Sequence, residues 1–373
     1  MKNFKNLLSI DYQINLKTFR HIFLAKITLK DLPFISFGKG FSQKEAITSA
    51  LGEMYERILL KNYFEDYAIE NLYHDQEIKK FDIKKFYDID IEKEDLIDFN
   101  SNSKEILSIP FSDTYFPINL IQNLFASNGM AFHKSFKEAY YNAKCEIVER
   151  YVKFKVLKEK IPLEKIEHKY NDKNIQIYRA TLNQYPVMAA SYIKNNKIIL
   201  SFGCDLDEEK AIDKAYLELL QTEFKEFGDF SEVDEFELEK HFINLSGNVP
   251  KEVVSGKAKY KSISTLPKLN EYIRRIDYKG YTAIHIIVPN FSEVYPIEDL
   301  VYNNKNYGKF IRLKMLKGRD IEYTPYELGS LTGFIFKKPF YYEDYMKTKK
   351  LPEFDEKYIN LIKFNKEINN EIR

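Results

Sequence analysis

The sequence predicts an α+β protein with one large domain, and three observations support this fold class. Short apolar runs with alternating side chains are typical of strands, and longer stretches with apolar residues three and four apart are typical of helices. Both patterns recur along the 373 residues. No Gly/Ser-rich or Pro-rich linker divides them, so we expect a continuous domain of mixed sheets over residues 1–342. Residues 343–373 are polar and predict a short helical tail.

The predicted elements follow one another in a mixed order, as an α+β fold requires. Residues 65–113 are charged and irregular, and we interpret them as surface helices and a loop. Four helices are predicted: from about Gln43 to Phe64, from after Phe125 to about Lys158, from Glu208 to Phe227, and within 353–370. Strands are predicted at His21–Leu29, Phe34–Phe37, Phe116–Phe125, Ile175–Leu182, Val187–Ile193, Lys197–Phe202 and Tyr281–Pro289.

Composition excludes several classes of protein. Lys plus Arg number 57 and Asp plus Glu 56, so the chain lacks the excess of one sign that direct nucleic-acid binding or a basic membrane-surface protein requires. With 44% hydrophobic residues the chain is typical of a globular protein. Two cysteines, Cys145 and Cys204, cannot form a disulfide framework. No signal peptide or membrane span is evident, so we expect a cytoplasmic protein that does not bind a membrane.

The most informative feature is a pattern shared by three predicted helices. Each carries two alanines four residues apart, then an acid three residues later, then a further acid or a glutamine after another three. Each helix also follows a serine–any–glycine segment that we interpret as a turn. The segments are Ser36-Phe37-Gly38, Ser127-Asn128-Gly129 and Ser201-Phe202-Gly203, and the helical residues are Ala46, Ala50, Glu53, Glu56 and Arg57, then Ala139, Ala143, Glu146, Glu149 and Arg150, then Ala211, Ala215, Glu218 and Gln221.

Helix geometry gives this pattern a physical meaning. At about 100° per residue the alanines and the first acid share one stripe, so small side chains beneath the acids permit a close approach. If the three helices are related by pseudo-symmetry, five carboxylates converge, and such a cluster needs cations or must take up protons. Oxygen ligands without His or Cys favour Mg²⁺, which usually carries phosphates as well. Arg57 and Arg150 are suited to neutralise those phosphates.

Other interpretations of the same residues remain open. Acids three apart are common on solvated helix faces, and alanine stripes usually mark packing between helices. The glycine-rich Gly38–Ser42 segment precedes a helix, where an anion is able to bind, but a tight turn explains it equally well. His133 is a weak candidate for a phosphate contact, and Cys145 is interpreted as a buried structural thiol.

In order and spacing these motifs resemble the YcaO family, over roughly residues 1–320. Its hallmarks are a G-K-G turn leading to S-A-x-x-E-x-x-E-R, then S-N-G leading to E-x-x-E-R, then E-x-x-Q. Further segments, such as HFINLSG at His241–Gly247, resemble the stand-alone type of the family. The hallmarks appear here as Gly38-Lys39-Gly40, Ser49-Ala50 with Glu53, Glu56 and Arg57, Ser127-Asn128-Gly129 with Glu146, Glu149 and Arg150, and Glu218 with Gln221.

The resemblance implies an ATP site with Mg²⁺ between carboxylates and phosphates. A YcaO enzyme phosphorylates a peptide amide oxygen, and a nucleophile then adds to form an azoline or a thioamide. The stand-alone type is linked instead to β-methylthiolation of an aspartate in a small-subunit ribosomal protein, as the accessory factor of a radical methylthiotransferase. The resemblance implies Mg²⁺ contacts from Glu53, Glu56, Glu146, Glu149 and Glu218, and ATP contacts from Lys2, Ser9, Ser49, Arg57, Arg150 and Gln221.

The chain departs from the stand-alone type in three places. Ala131 and Lys134 replace a serine and an asparagine that contact nucleotide in that type, and no proline-rich terminus of the cyclodehydratase kind is present. The 373 residues also end near where the helical-repeat domain of the stand-alone type would begin, so we expect partner docking by that domain to be missing or moved. Catalytic residues are not identifiable. The alternatives are a non-catalytic scaffold with the same fold, a carboxylate-metal phosphohydrolase, and an azoline- or thioamide-forming enzyme; a homodimer is also compatible with the sequence.

Overall fold

The structure is a computed structural model, and it describes residues 11–30, 32, 34–60, 92–98, 106–108, 127–194, 197–224, 249–288, 291–293, 356 and 360. This part of the chain contains three long helices and strands in three antiparallel sheets. The helices are α1 (Gln43–Leu59), α2 (Phe136–Lys158) and α3 (Glu208–Glu223). The strands are β1 (Tyr12–Phe19), β2 (Ile22–Leu29), β3 (Ile35–Gly40), β4 (Glu92–Asp98), β5 (Ile106–Ser108), β6 (Met130–His133), β7 (Glu164–Ile166), β8 (Ile175–Arg179), β9 (Val187–Lys194), β10 (Lys197–Cys204), β11 (Tyr272–Tyr278) and β12 (Tyr281–Ile287).

Each sheet supplies the strand that leads into one of the long helices. The first sheet has the order β1-β2-β3 and leads into α1, the second has the order β10-β9-β8-β7 and leads into α3, and the third has the order β5-β4-β11-β12-β6 and leads into α2. The strand-to-helix connections are short. The three helices therefore start from similar positions at the edges of three sheets.

The paired alanines of the helices are all fully buried, and they pack against strands. A Cβ built on Gly38 of β3 would lie 2.1 Å from the Ala46 carbonyl oxygen, and one built on Gly203 of β10 would lie 2.3 Å from the carbonyl oxygen of Ala211. In both cases the glycine of the strand therefore lies directly against the alanines of the following helix. The alanine stripe thus brings each helix close to its own sheet, and not to another helix.

Capping residues fix where the helices begin. Ser42 caps α1, because its hydroxyl accepts the Glu45 N–H while the Glu45 carboxylate accepts the N–H groups of Phe41 and Ser42. Ser135 and Asp207 cap α2 and α3 in a similar way. Because Glu45 already occupies these backbone donors, the residues after Gly40 form a capped helix start and not a phosphate loop.

Several predictions were confirmed and several were wrong. The strands predicted at 21–29 and 281–289 and the helices α1 and α3 are present with shorter ends, and α2 ends at Lys158 as predicted. The interpretation of residues 65–113 was wrong at 92–98 and 106–108, which form β4 and β5. β4 pairs with β11 and β5 pairs with β4, and this pairing makes them strands although the sequence of β4 has no strand alternation. Strands β1, β6, β7 and β11 were not predicted. The strand at Phe116–Phe125, the tail beyond 342 apart from two residues, and the segment 241–247 lie outside the described residues.

The serine–any–glycine segments were wrongly interpreted as three turns. Ser36-Phe37-Gly38 lies within β3 and Ser201-Phe202-Gly203 lies within β10, so the G-K-G residues are also strand residues. Only Ser127-Asn128-Gly129 is a turn, with Gly129 at φ +80°. In the first and third segments the glycine is needed for close helix packing, which a sequence pattern cannot separate from turn formation.

Candidate functional site

Helix α1 presents its two acids and its arginine as one connected group. The Glu53 carboxylate accepts the Phe37 N–H at 3.0 Å, so it is held at the edge of β3. Arg57 lies 3.6 Å from Glu53 and 3.5 Å from Glu56. Arg57 also contacts the Met130 sulfur at 3.8 Å, at the start of β6. The end of α1 is thereby tied to the strand that leads into α2.

Helix α2 repeats this arrangement. The Glu146 carboxylate accepts the Gly129 N–H at 3.2 Å and the Arg150 guanidinium donates to it at 2.7 Å. In both α1 and α2, therefore, the first acid of the motif binds a backbone N–H of the preceding serine–any–glycine segment. Glu149 and Lys153 continue the same helix face, at spacings of three and four residues. This face of α2 carries alternating acids and bases.

Helix α3 joins the other two through a lysine of β3. Lys39 donates to the Gln221 side-chain oxygen at 2.7 Å and forms an ion pair with Glu218. Its charge also interacts with the carboxylates of Glu149, Glu53 and Glu146. Residues of α3 thus contact this ammonium group and acids of α1 and α2 act on its charge, which places the acids of the repeated pattern in one region of the molecule.

Burial controls the charge states at this site. The pKa of Glu56 is raised to about 8 by loss of solvent, although Arg57 beside it favours the ionised form. Burial also raises the pKa of Glu149 and lowers the pKa values of Lys39 and Lys153 to about 8. The mutual repulsion of Glu56, Glu53 and Glu146 adds to the shift of Glu56. Carboxylates in such surroundings take up a cation or a proton readily.

The acids are paired with basic side chains in this structure. Within the ranges described, no three His, Cys, Asp or Glu side chains already stand close enough together to hold a metal ion. Lys39 and Arg150 each contact an acid directly, and Arg57 lies between two. The donors are nevertheless hard oxygens, the class that Mg²⁺ prefers, and each direct cationic partner is one that a divalent ion is able to replace. The donor set therefore fits Mg²⁺ once those ion pairs exchange.

The structure brings together most of the residues that the sequence suggested for the site. Ser49 is exposed on α1, one turn ahead of Glu53, while Lys2 and Ser9 lie outside the described residues. Ala131 is buried in β6 and Lys134 is exposed after it. The residues that meet are Glu53, Glu56, Arg57, Glu146, Glu149, Arg150, Glu218 and Gln221.

Sequence reasoning missed two lysines of the site, Lys39 and Lys153. Lys39 was considered only as part of a glycine-rich segment, but strand alternation puts its side chain opposite the face that Gly38 and Gly40 present to α1. Lys153 lies seven residues after Glu146, which is two helical turns along the same face. Helical spacing was therefore a usable signal for Lys153.

Two weaker candidates, His133 and Cys145, interact with neighbouring side chains. His133 lies 2.8 Å from Glu138 near the start of α2. Cys145 is a buried free thiol, as predicted, and interaction with the buried Cys204 thiol lowers its pKa.

A sequence profile of one protein family matches residues 37–288, more than half of the chain, and spans all three helices of the site. The family is that of the YcaO cyclodehydratases, described as binding ATP and Mg²⁺. The chain belongs to the YcaO family. The resemblance seen in the motifs is thus confirmed, and the predicted cofactors agree with the description of the family.

Two curated relatives match about three quarters of this chain. A ribosomal protein S12 methylthiotransferase accessory factor YcaO from Escherichia coli K12 is 28% identical over 356 residues, covering 75% of this chain and 61% of the relative. An uncharacterised protein from Haemophilus influenzae is 27% identical, covering 77% of this chain and 62% of the relative. The chain spans about three fifths of the length of these curated relatives.

A solved heterocyclase in complex with substrate and cofactor shares the fold. It superimposes with a TM-score of 0.53 at 16% sequence identity, covering 78% of this chain and 51% of the heterocyclase. This chain therefore shares the fold of that heterocyclase, and the family match makes its mixed α+β architecture a YcaO fold. In the described part of the chain, no helix combines the length and the apolar character needed to cross a bilayer.

Proposed function

We propose that this chain binds ATP with Mg²⁺ between its three acid-bearing helices and uses it to activate a peptide amide. The observation that carries the proposal is the contact of Lys39 with Gln221 of α3, together with the interaction of the Lys39 charge with Glu53 of α1 and Glu146 of α2. The family description, which names ATP and Mg²⁺, supports it. The proposed metal ligands are Glu53, Glu56, Glu146, Glu149 and Glu218, and the proposed ATP contacts are Lys2, Ser9, Ser49, Arg57, Arg150 and Gln221.

The three units are proposed to be pseudo-repeats that form one nucleotide cage. Two similarities support this. Gly38 and Gly203 pack in the same way against the paired alanines of α1 and α3, and Glu53 and Glu146 each accept a hydrogen bond from a backbone N–H. We further propose that the YcaO-like domain extends over residues 1–342 and that 343–373 form a separate helical tail.

In this proposal, the protein contributes position and charge. Bound Mg-ATP would supply the phosphoryl group that turns an amide oxygen into a leaving group. Arg57 and Arg150 would orient phosphates and neutralise charge that develops on them, and the acids would hold the metal in place. Partial exclusion of solvent at Glu56, whose side chain is 15% exposed, strengthens these interactions.

The proposed substrate is a small-subunit ribosomal protein, with a radical methylthiotransferase as partner. The name of the Escherichia coli relative supports this choice. Azoline or thioamide formation on another peptide is the alternative within the same chemistry. A cytoplasmic location and a homodimer remain parts of the proposal.

A non-catalytic scaffold is the second candidate, and Ala131 and Lys134 favour it. Both replace residues expected to contact nucleotide, and the buried Ala131 side chain offers no hydrogen bond. Such a scaffold would bind nucleotide weakly or not at all and present a docking surface to its partner.

Measuring ADP formation distinguishes these functions. The protein is incubated with Mg-ATP, alone and with small-subunit ribosomal protein, and separately with p-nitrophenyl phosphate. The proposal predicts ADP only when the acceptor protein is present. ADP formation with no dependence on an acceptor, or cleavage of the generic phosphoester, would favour a phosphohydrolase. Absence of both Mg-ATP binding and turnover would favour the scaffold.

A further inference from the structure

Lys39 is positioned as a cation among the acids of all three helices. Its Nζ contacts Gln221 at 2.7 Å and forms an ion pair with Glu218, and its charge interacts with Glu149, Glu53 and Glu146. The Lys39 side chain is only 23% exposed, so its ammonium has lost most of its contact with water. An ammonium in such surroundings is stabilised by the carboxylates around it.

The fold leaves Lys39 little freedom to lie elsewhere. It sits in β3 between Gly38 and Gly40, which α1 covers so closely that neither position has space for a Cβ atom. Strand alternation then directs the Lys39 side chain to the opposite face, toward α3. The lysine is therefore held at its base by a rigid strand, while its flexible end is able to move between partners.

We propose that Lys39 is a built-in counter-ion that occupies a cation position among the acids before Mg-ATP binds and moves to the phosphates when it binds. This inference rests on the proposed function and adds a mode of regulation to the same site. It accounts for the absence of a ready metal site among the described residues, since Lys39 and the arginines already contact the acids.

Removing a counter-ion has a consequence that removing a purely structural lysine lacks. A counter-ion competes with a bare divalent cation, so its removal strengthens metal binding in the absence of nucleotide. The same lysine favours the phosphates of ATP, so its removal weakens nucleotide binding. The two affinities are expected to change in opposite directions.

The test uses the full chain with Lys39→Met, which keeps the side-chain length and removes the charge. Lys44→Met, on the exposed face of α1, serves as the matched control. Mn²⁺ binding is measured without nucleotide by electron paramagnetic resonance, and Mg-ATP binding is measured by calorimetry. We expect Lys39→Met to bind Mn²⁺ roughly tenfold more tightly and Mg-ATP roughly tenfold more weakly. We expect Lys44→Met to match the wild type.

Other outcomes overturn the inference. If both affinities weaken, Lys39 only holds the site together, and if neither changes or only one does, it is not the counter-ion. Circular dichroism of the variant checks that it is folded; should Lys39→Met fail to fold, Lys39→Gln replaces it in the same measurements. If the wild type itself binds no Mg-ATP, the proposed function fails, whereas the Mn²⁺ measurement still shows whether Lys39 competes with a metal.

Discussion

The ammonium of Lys39 lies 2.7 Å from Oε1 of Gln221, although 182 residues separate the two in the chain. This contact joins the strand before α1 to the end of α3. The Lys39 charge also interacts with Glu146 and Glu149 of α2 and with Glu53 of α1. Residues of three helices that are far apart in the sequence therefore act on the same lysine. The convergence gives the repeated acids a common environment, which isolated solvated helix faces would not have.

The first prediction concerns the glycines under the helices. Gly38→Ala and Gly203→Ala should each lower the free energy of unfolding by about 1–3 kcal/mol or more, because the new Cβ meets backbone atoms of α1 or α3. Gly52→Ala is the control, since nothing lies within 4 Å of its Cβ position and it is within α1. That variant should be more stable by about 0.5–1 kcal/mol.

Urea unfolding followed by circular dichroism measures all three glycine variants. Equal effects of Gly38→Ala and Gly52→Ala would show that close packing of the strand on the helix is not what requires Gly38.

The second prediction concerns a buried ion pair beneath α2. Lys144 Nζ lies 2.7 Å from Glu271, which also accepts a hydrogen bond from the Tyr140 hydroxyl at 2.6 Å. Glu271→Met leaves the Lys144 charge buried without its partner and should cost about 3–5 kcal/mol of unfolding free energy. The double variant Lys144→Met with Glu271→Met should cost much less than the sum of the single variants. Additive effects in thermal or chemical unfolding would contradict this account.

The third prediction concerns pH and His285. Burial first, then the charges of Arg274 and Arg57, lower the pKa of His285 to about 3. Between about pH 6.5 and 3 the unfolded chain therefore binds a proton at this residue that the folded chain does not, so stability falls as pH decreases. His285→Gln lacks this loss. From pH 8 to pH 5 the wild type should lose about 1–2 kcal/mol relative to the variant.

Chemical unfolding of wild type and His285→Gln at both pH values measures that difference. If the free-energy difference between the two proteins is the same at pH 5 and pH 8, His285 is not held neutral by its surroundings.

Much of the site was predictable because helical spacing is a local property. The pattern of alanines and acids placed Glu53, Glu56, Glu146 and Glu149 on helices that the structure confirms. The convergence of the helices was a hypothesis from their internal similarity, and no local signal contained it. The role of each acid as a metal ligand stays a prediction.

What sequence reasoning missed depends on contacts between distant segments. Strand β4 has the sequence EKEDLID, which resembles a solvated segment and becomes a strand only by pairing with β11. Similarly, Gly38 resembles a turn glycine until α1 is placed upon it. Lys39 was overlooked for the same reason, since its partners come from three helices that are far apart in the sequence.

Isothermal titration calorimetry tests most directly whether the acids of the three helices form the Mg-ATP site. ATP with Mg²⁺ is titrated into the wild type, into Glu146→Ala, and into Glu159→Ala, a control at the end of the same helix whose side chain is 52% exposed. The account predicts binding to the wild type and to Glu159→Ala, and loss of binding to Glu146→Ala. Unchanged affinity of a folded Glu146→Ala, or no binding to the wild type, would contradict it.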